Sequence, residues 1–135
     1  MQTLTLTFKI DNGSSGLNTP SLRLDKAIAT GSIFLKRICV TTEGSHLQRL
    51  ISVNLPFINH QLCNQGTEQG IIVPIPGSKT SVSYSCDEQF GIRNNEIPNK
   101  FDVKLHDVSA DTNHSTTIPA THVSLIFETD GYGQI

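Results

Sequence analysis

His46, His60, His106, His114 and His122, with Cys39, Cys63 and Cys86, carry most of the metal-binding and nucleophilic potential of this 135-residue chain. His60 and Cys63, in "NHQLC", are spaced so that both can reach one metal ion. A structural zinc site takes four ligands, usually from a second paired motif. The sequence offers no CxxC, HxH or HxxxH partner, so an ordinary polar loop is expected there. The stretch "HDVSADTNHS" gathers His106, Asp107, Asp111, Asn113 and His114. Its oxygen ligands suit a weak calcium site, but the EF-hand order of acidic positions with Gly at six and Glu at twelve is missing. It reads as a solvated turn between the last two strands.

Nucleophilic catalysis needs a Ser or Cys beside a base, with donors for the developing oxyanion. There is no GxSxG elbow, "GSSG" follows a strand without leading into a helix, and "PGSK" lacks the leading Gly of a P-loop. His122 falls just before the last strand with no partner motif. The sequence therefore assigns no catalytic, cofactor-binding or metal-ligating residue, and the expectation is a protein that is not an enzyme and carries no cofactor. Asn12-Gly13-Ser14 and Asn113-His114-Ser115 match the glycosylation acceptor pattern. The N-terminus, "MQTLTLTFKI", has no basic segment followed by an apolar one, so no secretory signal is expected and these matches read as coincidence.

The elements that would position any site are strands. Apolar residues make up 36% and charged residues 16% of the chain, and Trp is absent. Thr, Ser, Asn and Gly supply much of the rest, which favours strands and turns over helices. A formal charge of −2, with Lys36-Arg37 as the nearest thing to a basic cluster, gives no reason to bind nucleic acid or an anionic membrane. No apolar run reaches the ~20 residues of a membrane-spanning helix. Three cysteines, an odd number, read as free structural thiols rather than a disulfide framework.

Period-two alternation recurs along the chain. Leu4, Leu6, Phe8 and Ile10 share one face of a first strand, ended by "DNGSSG". Leu22 and Leu24 begin a second run. "SIFLKRICVT" is mostly apolar on both faces and reads as a central, covered strand. Ile51, Val53 and Leu55 align in "LISVNLPF", where Pro56 stops the ladder. Pro74 and Pro76 in "GIIVPIPG" fit an edge strand or strand end. Val82, Tyr84 and Cys86 alternate next, and "DEQFGIRNNEIPN" holds Phe90 and Ile92 between turns. In "IPNKFDVKLHDVS", Phe101, Val103 and Leu105 fall on one face and Asp102, Lys104 and His106 on the other. Val123, Leu125 and Phe127 make the final strand, with Ile126 opposite. "EGSHLQRLI" has helical spacing at Leu47, Leu50 and Ile51 but serves as well as a loop entering a strand. The expectation is an all-β, single-domain antiparallel β-sandwich of about eight strands in jelly-roll topology, spanning 1–135 with 129–135 as a C-terminal tail. An immunoglobulin-like sandwich is disfavoured because no Trp exists to pack on an inter-sheet disulfide.

In order, "SLRLDKAIATGSIFLKRICVT", "ISVNLPFI", "IIVPIPGSKTSV", "FGIRNNEIPNKFDVKLHDVS" and "THVSLIFET" resemble the single jelly-roll capsid proteins (penton-like or minor capsid) of icosahedral double-stranded DNA viruses and virophages. The resemblance is one of pattern across most of the chain. It implies a structural virion component, made in the host cytoplasm, that acts through surfaces, with itself as partner in a pentamer or trimer and other capsid proteins as further partners. The alternative is a lectin-like carbohydrate-binding module mediating attachment. Tyr84 and Tyr132 are its only aromatics with polar handles, which counts against it, while the "NNE" loop at 94–96 keeps it open.

Overall fold

The computed structural model describes residues 2–13, 16–43, 48–59, 70–108, 118 and 120–129. In them the chain forms β1 (Gln2–Ile10), β2 (Asn12–Gly13), β3 (Gly16–Leu17), β4 (Ser21–Arg23), β5 (Ile28–Ala29), β6 (Ser32–Thr42), β7 (Arg49–Asn54), β8 (Ile58–Asn59), β9 (Ile71–Ile75), β10 (Thr80–Ile92), β11 (Glu96–Ile97), β12 (Lys100–Asp102), β13 (Lys104–Asp107) and β14 (Thr121–Thr129). All pairings are antiparallel.

Alternation decides the faces. Leu4, Leu6, Phe8 and Ile10 of β1 are buried while Thr3, Thr5, Thr7 and Lys9 between them are exposed. β14 repeats the pattern with Val123, Leu125 and Phe127, each fully buried. Antiparallel register then puts Leu6 opposite Leu125 and Phe8 opposite Val123, so like faces meet and one side of the sheet becomes the core. The resulting five-stranded sheet runs β1-β14-β6-β10-β8, placing the first long strand beside the last.

The opposing layer is built from β4, β12, β13, β7 and β9. β12 pairs with β4, while β13 lies in the order β13-β7-β9. Only Val103 separates β12 from β13, and its N–H donates to Pro20 O at 2.8 Å, continuing the ladder beside β4. The expected faces of this stretch hold: Phe101 and Val103 are buried and Leu105 half-buried, with Asp102, Lys104 and His106 exposed. Buried side chains of both layers form one apolar cluster that runs from Leu4 to Phe127. The molecule is an all-β sandwich. At 1.5–3 kcal/mol for each fully buried large aliphatic or aromatic side chain, roughly, this cluster is the main favourable term in folding.

Two readings are corrected. β6 is central, between β14 and β10, but it is covered on one face only: Ile33, Leu35, Ile38 and Val40 are buried, whereas Phe34, Lys36 and Cys39 are half-buried and Arg37 is exposed. The cause is a bulge. Lys36 is skipped in the register with both neighbours, as are Cys86 and Asp87 on β10, so Leu35 and Ile38 reach the same face. Lys36 Nζ meets Asp87 Oδ1 at 3.1 Å and lies 5.5 Å from the Phe34 ring centroid, which shields that ring. The second correction follows from the same bulge: Phe90 and Ile92 do not lie between turns but continue β10, which runs through "DEQFGI" without leaving the ladder.

Among the described residues β9 is an edge strand, a position that suits Pro74 within it. Leu50 and Ile51 belong to β7, so the helical reading of "EGSHLQRLI" fails where that stretch is described. Thr129 ends β14 fully buried, its hydroxyl donating to Thr30 Oγ1 at 2.9 Å. Residues 130–135 lie outside the described set.

Candidate functional site

The sequence candidates diverge rather than converge. His106 points outward from β13 and Asp107 inward, where its Oδ2 accepts from Arg49 Nη1 at 2.6 Å. The two neighbours of the proposed calcium loop therefore face opposite ways. Asp111, Asn113, His114 and Ser115 fall outside the described residues, as do His46, His60, Cys63, Ser14 and Tyr132. Among the described residues no group of three or more His, Cys, Asp or Glu side chains is gathered to hold a metal. His122 is exposed, 3.6 Å from Glu43 Oε1. Cys39 and Cys86 are free thiols. Cys39 sits on the outer face, 3.8 Å from Ser83 Oγ, and Cys86 on the inner one, where burial and the nearby Glu88 carboxylate push its thiol up. Among the described residues no helix is long and apolar enough to cross a membrane.

The "NNE" loop is a tight turn. Asn94 (φ 58°, ψ 19°) and Asn95 (φ 54°) both take the left-handed conformation that Asn tolerates, and Glu96 N–H donates to Arg93 O across them. Thr30 N–H donates to Asn95 O at 3.0 Å and Arg93 Nε to Ile58 O at 3.2 Å, so the corner is held from two sides. A depression of about 300 Å³ adjoins it, but its only ring, Phe57, is buried. Sugar stacking needs an exposed aromatic face, and the described part of this corner offers none.

What the structure does assemble is an apolar strip on the outside of the second layer. Leu50 and Val108 are the exposed large apolar side chains among the described residues, 42% and 46% accessible. Val108 N–H donates to Leu50 O at 3.0 Å, and Leu50 pairs across β7 and β9 with Pro74. The three lie in one row. The strip leads into a groove of about 390 Å³ where Leu50, Pro74, Ile75 and Pro76 meet Tyr84 from β10 of the other layer. Farther along β7 the same outer face is covered: Gly70 N–H donates to Ser52 Oγ at 3.2 Å, and Ser52 is buried although it points outward.

The outer face of the five-stranded sheet is of another kind. Register aligns Thr7, Ser124, Cys39 and Ser83 in one row, and Thr5, Ile126, Arg37 and Ser85 in the next. Thr7 and Ser124 hydroxyls are 3.0 Å apart, and Thr41 and Ser81 are 3.1 Å apart. The central row holds no charge. Sequence reading found the strands that carry these faces but not the strip, because Leu50 and Val108 are 58 positions apart and each looks like an ordinary strand residue. Comparison of the chain with protein-family models and with curated protein sequences gives no match.

Proposed function

We propose that this chain is a non-enzymatic jelly-roll protein that assembles through its surfaces, as a virion component of the penton-like, minor-capsid or fibre-head kind. The observation that carries the reading is strand order. Taking β12 and β13 as one run, the eight principal runs lie first-eighth-third-sixth in one layer and second-seventh-fourth-fifth in the other. A double Greek-key jelly roll would order its strands in this way, and that agreement is what supports the reading.

The surfaces support an assembly role. Interfaces are depleted of charge at their centres, as in the row through Thr7, Ser124, Cys39 and Ser83. Contiguous exposed apolar residues mark interaction sites, as in the strip through Val108, Leu50 and Pro74. Under this reading the strip and its groove take an apolar side chain of a neighbouring subunit, from a second copy or from another capsid protein. Sedimentation velocity tests it. The wild type should sediment with a discrete closed ring, a pentamer or trimer, and Leu50→Glu with Val108→Glu should remove that ring while its melting stays cooperative. Binding of the monomer to a glycan array with no self-association would turn the assignment to the carbohydrate-binding alternative.

A further inference from the structure

Among the described residues the edge of the five-stranded sheet formed by β1 is open, and its sequence is self-complementary. We infer that two copies of the chain pair β1 against β1 about a two-fold axis at Thr5, joining their sheets across the contact.

Which backbone groups face out follows from Asn18. Its Nδ2 donates to Lys9 O at 2.9 Å, its Oδ1 accepts from Asp11 N at 2.8 Å, and its own N–H donates to Asp11 O at 3.1 Å. Lys9 and Asp11 therefore turn their backbone groups away from β14. In a strand this direction alternates with period two. The N–H and C=O of Thr3, Thr5 and Thr7 thus point off the same edge, and among the described residues nothing bonds them.

Natural edges are guarded by proline, bulges, charges or a covering segment. β1 has no Pro or Gly, its register with β14 is continuous from Gln2 to Ile10, and its one charge, Lys9, stands at the far end. Asn18 caps that end only. At the other end Gln2, Thr3 and Leu4 line a depression together with Leu24, Asp25, Lys26 and Ile28.

The open segment is a palindrome: Thr3-Leu4-Thr5-Leu6-Thr7. An antiparallel copy centred on Thr5 sets Thr3 against Thr7 and Thr5 against Thr5 as hydrogen-bonded pairs. The three pairs exchange two bonds each and use the open backbone groups of Thr3, Thr5 and Thr7, while Lys9 O stays with Asn18. Leu4 then faces Leu6 on the core side, and threonine methyls and hydroxyls face each other outside, a favourable cross-strand pairing. A centre on Leu6 would instead set Thr3 against Lys9 and compete with Asn18. The occupant is therefore a second copy in this register. The inference concerns one contact and does not depend on the virion reading.

Charge reversal tests the register. Thr3, Thr5 and Thr7 are exposed, so their variants should fold, with melting curves as the control. Thr5→Lys places two ammonium groups opposite each other on the axis and should weaken dimerisation at least tenfold by light scattering. The double variant Thr3→Lys with Thr7→Lys should behave likewise. Thr3→Lys with Thr7→Glu creates two opposite-charge pairs in this register alone and should keep the dimer. In the wild type, amide exchange at Thr3, Thr5 and Thr7 should slow with rising protein concentration. An oligomer that both lysine variants leave intact would overturn β1 pairing while sparing the assembly reading. Fast exchange at these amides at every concentration would overturn it as well.

Discussion

Arg49 Nη1 and Asp107 Oδ2 lie 2.6 Å apart, tying the first residue of β7 to the last of β13 with side chains only 5% and 14% accessible. The pair closes the end of the core directly beneath the apolar strip, since Leu50 and Val108 are their next neighbours in sequence. Ion pairs this well covered gain little over an apolar pair but are costly to break singly. Asp107→Ala should therefore cost about 3–5 kcal/mol in urea unfolding, and the double change Arg49→Met with Asp107→Leu should recover most of it. A single-variant loss below about 1 kcal/mol, the scale of exposed pairs, would mean that water reaches the bridge.

Gly70 approaches β7 too closely for any side chain. A Cβ built there would stand 2.6 Å from the Val53 carbonyl oxygen and would press on Asn54 and Ser52 side chains as well. Because one of those atoms is backbone, the strain cannot be relieved by a rotamer change. Gly70→Ala should destabilise by roughly 1–3 kcal/mol, the usual range for overpacking. An unchanged melting temperature would show that the crossing over the outer face of β7 is looser than described.

Val103 and Lys104 are adjacent and opposite: Val103 is fully buried and Lys104 exposed. Val103→Asp should abolish folding, because it buries a charge with no partner, whereas Lys104→Glu should melt as the wild type does. Circular dichroism on both variants decides the register of this strand. Soluble, cooperatively melting Val103→Asp protein would contradict it.

Cys86 should react more slowly with iodoacetamide in the folded protein than in urea. Burial and Glu88 both disfavour its thiolate, and the thiolate is the reactive form. The lag should narrow as pH rises. The linkage has the matching sign: the folded state holds the Cys86 proton more tightly, so this contribution to stability is present below the unfolded-state pKa and declines as pH rises above it. Equal rates in folded and unfolded chains at neutral pH would contradict the half-buried placement of Cys86.

Strict alternation made much of this fold legible. Leu4 to Ile10, Phe101 to Leu105 and Val123 to Phe127 each name their own inner face, because period two leaves a strand one way to bury its apolar side. The rest depends on pairings that a one-dimensional pattern does not contain. "SIFLKRICVT" read as covered on both faces, since a bulge at Lys36 that returns Leu35 and Ile38 to one face is invisible without its partners on β10 and β14. Asp87 and Glu88 read as a turn for the same reason. The contact candidates were hidden more deeply still: Val108 joins Leu50, and Asn18 reveals the open amides of β1, only after the chain has folded back on itself.

The central claim, that this is an assembly protein, is met most directly by the native mass of the wild-type chain from light scattering across a concentration series. The proposal predicts discrete oligomers that grow with concentration and stop at a closed size. A strict monomer throughout the concentration series would contradict it.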